Sequence, residues 1–330
     1  MKRSKEWKRM ILDTVIRISP TLENRVGARS WCYILENEGV ITKGDFDDAE
    51  KFITECRKNG KLPVDFTAEY NERIFEGVEE PEQVTVEDYF VEMVRNVWNN
   101  AHNWYSPDWW EGEKYYLQLL VEKLDLKNLF MPICKEYHIP VANGKGWSDI
   151  NQRYDLIKRC MWAESRGLTP IILYAGDFDP YGKHISDTLI ENIHQLDGLL
   201  DINGNRINIS MHRNQIKRFC LNKDFIDRHN LTWIDNLLSG SGKDMSKPNK
   251  NGKIKRFIQE WIDTVGKRKC EAEAAMKVPK EARQLFEQNI QGYLGRNAKE
   301  RFESKRAEIE KRLLAFKERK GIANFPDTLA

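Results

Sequence analysis

None of the six cysteines (Cys32, Cys56, Cys134, Cys160, Cys220 and Cys270) forms a CxxC pair or has a zinc-like spacing. Ribbon-type metal modules and dithiol redox motifs are therefore excluded, and the thiols read as reduced core residues of a cytosolic protein. The six histidines are scattered and form no metal-spaced cluster; His184 reads as helix surface. No apolar run approaches the roughly 18 residues that span a bilayer. The first twenty residues, MKRSKEWKRMILDTVIRISP, lack the apolar core of a secretory signal. A soluble, cytoplasmic protein with no membrane partner is expected. Neither a GxxxxGK[ST] loop nor a dinucleotide-binding glycine fingerprint is present, and there are no internal repeats.

Net charge is also scarce. The formal value is +2 over 330 residues, although 32% of residues are charged and 40% are apolar. Its distribution is uneven. Residues 1–30 carry eight Lys/Arg against three Asp/Glu, and residues 241–270 carry nine against three, whereas the stretch from about 34 to 95 is acidic. Basic patches on a near-neutral chain suit a protein that meets phosphates on one face, and they also suit ordinary solvated surface.

Several short helices are expected in the first 60 residues: 1–19 ended by Pro20, 27–37, and 45–60 with Asp45 as cap and Gly60 at its end. VIT (40–42) reads as a short strand and LPVDFT (62–67) as a wing or extended segment, which together suggest a winged helix or a small helical bundle. A helix over 84–112 leads to WYSPDWWEGE, whose Trp104, Trp109 and Trp110 suit a domain junction better than base stacking. From residue 115 the rhythm becomes strand–helix: strands at 115–123, 139–146 and 169–179, helices at 126–138, 148–167 and 180–193, and a further strand at RINISMH (206–212). Alternation of this kind predicts a doubly wound parallel α/β unit. The remainder reads as polar and helical, with helices at 257–265, 279–295 and 297–320.

Carboxylates at strand ends are the most informative feature. Glu122 closes LLVEK, and Asp177 and Asp179 close IILYAGDFD. Apolar runs such as IILYA read as strands buried on both faces. Open α/β sheets bind ligands at the carboxyl ends of such strands. Three carboxylates gathered there repel one another unless a cation joins them, and all-oxygen ligands suit magnesium.

VEK (121–123), NGKGWSDINQR (143–153) and LYAGDFDPYGKHI (173–185) together resemble a Toprim domain of the kind found in the A subunit of topoisomerase VI and its meiotic double-strand-break relatives. KRKCEAEAA (267–275), with Glu271 and Glu273, is similar to a late ELEAL-type strand of that family. Arg29 and Tyr33 are spaced like its catalytic arginine and tyrosine, although Trp31-Cys32 departs from the usual pair before the nucleophile. The resemblance implies a winged-helix catalytic domain (1–100), a Rossmann-like Toprim domain (113–275) and a helical C-terminal extension (276–330), an α/β plus α+β architecture. It further implies Mg2+ on Glu122, Asp177 and Asp179, DNA contacts from Lys145 and Arg153, and attack by Tyr33 on a DNA phosphate to give a 5′-phosphotyrosyl link. A homodimer, a nucleoid location and a separate ATPase subunit of the B type go with that family; no ATPase motif lies in this chain.

Chemistry suits those roles. Tyrosine ionises near 10 and needs nearby positive charge or a base to attack. Arg29, one helical turn away, is placed to neutralise charge on the phosphate. Two alternatives stand beside this reading: a Toprim nuclease in which metal-activated water attacks and Tyr33 is structural, and a non-catalytic DNA-binding module.

Overall fold

In the computed structural model, residues 3–22, 25–68, 84–144, 150–239, 242–248 and 252–321 are described. They divide into two compact units: residues 1–69 with 114–290, and residues 70–113 with 291–330.

The first unit is built on four parallel strands, β1 (Tyr115–Val121), β2 (Val141–Asn143), β3 (Thr169–Ala175) and β4 (Ile216–Cys220), in the order β2-β1-β3-β4. β1 and β3 are central and are buried along all but their first residue, which is why both read as unbroken apolar runs rather than alternating ones. They pair in register from Tyr115 opposite Thr169 to Val121 opposite Ala175. The carboxyl ends of the two central strands therefore lie side by side. Successive connections diverge between β1 and β3, so this is the switch point of the sheet.

Helices α5 (Leu124–Glu136), α6 (Ile150–Ser165) and α7 (Pro180–His194) follow the first three strands. Leu120, Ile172 and Tyr174 pack with Ile157 and Cys160 of α6 and Leu189 and Ile193 of α7. Full burial of each such aliphatic side chain contributes about 1.5–3 kcal/mol. Pro180 stands at the first position of α7, where its missing N–H costs nothing, and Asp179 caps the helix by accepting from the Gly182 N–H at 2.6 Å.

The expected strand at 206–212 is not one. Its backbone is drawn to other partners: the Ile209 N–H donates to Asp197 Oδ1, and the Met211 carbonyl bonds the His194 ring. The strand that completes the sheet is IKRFC, whose first residues are only partly covered.

The N-terminal segment of the same unit holds α1 (Lys5–Ile18), α2 (Ala28–Asn37) and α3 (Phe46–Lys58). Neither VIT nor LPVDFT forms a strand. The Val40 N–H closes the end of α2 on the Leu35 carbonyl, and the Phe66 N–H turns back to Pro63 while Arg57 donates to the Val64 carbonyl. Nor does Asp45 cap α3; its carboxylate is taken by the Thr42 N–H and hydroxyl and by Arg3. Two short helices, α8 (Lys223–Arg228) and α9 (Arg256–Thr264), lead to residues 269–277. The stretch 267–275, likened to a strand, instead makes isolated bridges at Lys269 and Cys270 and then enters one 3-10 helix over Ala272–Lys277. Helix α10 (Pro279–Leu294) follows and buries Phe286 against Phe130 and Phe219.

In the second unit α4 (Val86–Trp104) packs on α11 (Ala298–Arg319), with His102 beside Glu310 and Trp109 on Phe302. Helix α4 has no buried residue and presents Val86, Phe90, Met93, Val97 and Trp104 to solvent. Among the described residues, no helix is long and apolar enough to cross a membrane.

Candidate metal and tyrosine site

Glu122 and Asp177 leave the ends of β1 and β3 at the switch point. The Asp177 N–H donates to Glu122 Oε2 at 2.9 Å, with the Tyr174 hydroxyl at 3.4 Å from the same oxygen. Gly176 is what allows this approach: a Cβ there would stand 2.5 Å from Glu122 Oε2. Gly182 is under similar constraint, since its Cβ would meet the Asp177 carbonyl at 2.2 Å. Arg218 on β4 fixes the turn by donating to the carbonyls of Gly176, Asp177 and Gly182.

Asp177 is the hub. Its Oδ1 accepts from the Ala272 N–H at 2.8 Å, which carries the 269–277 segment to the strand ends. Its Oδ2 faces Lys123 Nζ at 3.0 Å. Lys123 also reaches Glu273 at 3.9 Å. Glu271 is held from both sides, by Lys43 at 2.5 Å and Lys269 at 2.7 Å, and Lys269 donates as well to the Leu238 carbonyl. One oxygen each from Asp177, Glu271 and Glu273 lie within 4.8 Å of one another. Glu273 Oε2 is buried without a hydrogen-bond partner among the described residues.

Charge explains the ionisation of the group. Glu122, Asp177, Asp179, Glu271 and Glu273 face Lys43, Lys123 and Lys269, which leaves two negative charges without a cation among the described residues. Burial, then the Asp177 charge, pushes Glu122 up to about 8. Burial pushes Glu273 up to about 8 against the pull of Lys123. Asp179 rises to about 6 through burial and Asp177. Glu271 goes the other way, to about 2, because Lys269 and Lys43 outweigh its burial. At neutral pH protons on Glu122 and Glu273 thus stand where one divalent cation would balance the charge.

Tyr33 on α2 belongs to the same cluster. Lys43 Nζ lies 4.7 Å and Lys123 Nζ 4.9 Å from the centre of its ring, and Phe46 meets it edge-on at 5.0 Å. Burial raises the phenol above its ordinary value despite Lys123. A hydrogen bond from Ser30 to the buried Asp125 ties α2 to the start of α5.

Of the residues singled out in the sequence, Glu122, Asp177, Asp179 and Tyr33 thus converge within one unit of one chain. Arg29 is engaged at the surface with Asp47 and Glu50, at 3.2 and 2.8 Å. Arg153 donates to the Asn192 carbonyl and Gln195 at the C-terminal end of α7, roughly 20–24 Å along that helix from Asp179. Lys145 lies outside the described residues. Lys43, Lys123 and Lys269 were not singled out. Two local signals were present, the adjacency of Lys123 to Glu122 and the two-residue spacing of Lys269 and Glu271; the partner of Lys43 is 228 residues away.

No protein-family model, no curated protein and no solved structure matches the chain.

Proposed function

We propose that the chain is a magnesium-dependent, Toprim-type enzyme that cleaves DNA by transesterification, with Tyr33 as nucleophile. The observation that carries this reading is the shared location of Tyr33, three buried carboxylates (Asp177, Glu271 and Glu273) and two half-buried ones (Glu122 and Asp179), short of one divalent cation, at the switch point of a parallel sheet. All donors are carboxylate oxygens and one of them, Glu273 Oε2, is unpartnered, which suits a hard cation. Asp177 and Glu273, with Glu122 and Asp179 beside them, are the residues that would hold it. When bound, magnesium supplies positive charge to the phosphate and to the departing oxygen.

The protein's own groups do the rest. Lys43 and Lys123 place positive charge over both the Tyr33 ring and the carboxylates, which favours the phenolate against the cost of burial. The phenolic oxygen forms a bond to phosphorus as the bond to the 3′ oxygen breaks. The phenol proton leaves to solvent, and the 3′ oxygen takes one up. Nucleophile and carboxylates lie in one chain, so a second protomer is not needed to bring them together. A homodimer and a B-type ATPase partner belong to this proposal as the requirements of a paired cut and of strand passage, with the protein acting on nucleoid DNA.

One observation favours a second reading. Tyr33 is 9% exposed and packed on Phe46, as a structural tyrosine would be. In that case water attacks and the enzyme is a hydrolytic nuclease. Incubation with DNA and magnesium, followed by detergent denaturation, separates the two. Protein covalently joined to 5′ ends, lost in Tyr33→Phe, supports transesterification. Free 5′ phosphates, produced equally by Tyr33→Phe and abolished by Asp177→Asn, support the nuclease.

A further inference from the structure

We propose that Lys123 is a resident counter-ion of the carboxylate site, displaced toward Tyr33 when a divalent cation enters; this rests on the cation site proposed above. The three lysines of the cluster are not equivalent. Lys43 and Lys269 have side chains 3% and 1% exposed, and both are committed to Glu271. Together they make Glu271 a fixed partner rather than an available ligand. Of the three lysines, Lys123 alone reaches the other two members of the Asp177, Glu271 and Glu273 group, Asp177 at 3.0 Å and Glu273 at 3.9 Å, and its side chain is 22% exposed. It is thus the one ammonium of the three that occupies the oxygens a cation needs and has a route away from them.

The second partner of Lys123 is already in place. Its Nζ lies 4.9 Å from the Tyr33 ring centre, within cation–π range. An ammonium pushed off Asp177 by an incoming cation stays beside the phenol. Cation entry then leaves the Lys123 ammonium, shared until then between Asp177 and the ring, to the phenol alone, because a single side chain serves both positions. Without a cation, Lys123 keeps the carboxylates partly neutralised and the site closed.

Two measurements test this without relying on activity. The first is Mn2+ binding to the full chain, read by the loss of free-ion EPR signal. Lys123→Met removes the competing charge and is expected to bind at least about tenfold more tightly than wild type, a coupling well within that of charges a few ångströms apart. Lys123→Arg keeps the charge and is expected to stay near wild type. The second uses the wild-type chain only: amine-reactive labelling with mass spectrometry, with and without magnesium. Labelling at Lys123 is expected to rise several-fold with the cation while Lys43 and Lys269 do not change. Mn2+ binding that is unchanged or weaker in Lys123→Met, or labelling of Lys123 that does not rise with magnesium, overturns the displacement while leaving the cation site standing. Wild-type protein that binds no Mn2+ overturns both.

Discussion

Glu122 and Glu273 ionise near 8 in the folded chain, against 4.5 for an ordinary glutamate. Below 4.5 both the folded and unfolded chains hold these protons, so the full stability is present. Between 4.5 and 8 the unfolded chain releases them while the folded chain keeps them, and stability falls as pH rises. Glu271, held near 2, acts oppositely: its contribution is present above 4.5 and is lost as pH drops toward 2. The metal-free protein is therefore expected to lose on the order of a few kcal/mol between pH 5 and 8. Urea midpoints measured across that range should show the decline, and saturating magnesium should flatten it; pH-independent midpoints would contradict the charge deficit. Gly176→Ala tests the same place sterically. Its Cβ would stand 2.5 Å from Glu122 Oε2 and 2.8 Å from the Tyr174 hydroxyl. A loss of about 1–3 kcal/mol is expected in denaturant titration, together with weakened Mn2+ binding because Glu122 must move.

At the scale of elements, the central strands and the helices after them could be read from sequence because burial on both faces leaves a plain apolar run. YYLQLLV and TPIILYA are such runs. The edge strand could not, because Ile216–Cys220 is only half covered and carries Lys217 and Arg218, whereas the better-alternating RINISMH is claimed by bonds from α7 and the turn after it. Thr42, Asp45 and Pro63 draw the expected N-terminal wing into turns. The same split decides mutational cost. Leu173→Ala on β3, fully buried, is expected to lose about 2–5 kcal/mol. Phe90→Ala on α4, 57% exposed, is expected to change stability by less than about 0.5 kcal/mol. Paired denaturant curves compare them directly. Half of the candidate site was legible for a related reason: Glu122, Asp177 and Asp179 follow apolar runs that announce strand ends, whereas Lys43 sits in polar surroundings and gains meaning only when the chain brings it to Glu271 and to Lys269 beside it.

For the molecule as a whole, the first unit is assembled from two separated stretches, residues 1–69 and 114–290. Lys43 and Glu271 join them through a buried ion pair. Lys43→Met leaves Glu271 to Lys269 alone and is expected to cost about 3–5 kcal/mol, the usual penalty for removing one partner from a buried pair. By the same reasoning a fragment starting at residue 113 should fail to fold cooperatively, while mixing it with residues 1–69 should restore a cooperative transition. Circular dichroism melting of the fragment alone and of the mixture decides it, and a fragment that melts like the full chain would refute the dependence.

That pairing also sets a timetable. Lys43 leaves the ribosome 228 residues before its carboxylate partner does. At 5–20 residues per second this is a wait of roughly 10–45 seconds. During that interval Lys43 has no Glu271 to bind, and Asp177 lacks the Ala272 N–H. The nascent chain can form its helices, the β1–β3 ladder and the Lys123–Asp177 pair, but Lys43 stays without its carboxylate until residue 271 has been made. Completion of the candidate site is thus a late, long-range event in the synthesis of the chain.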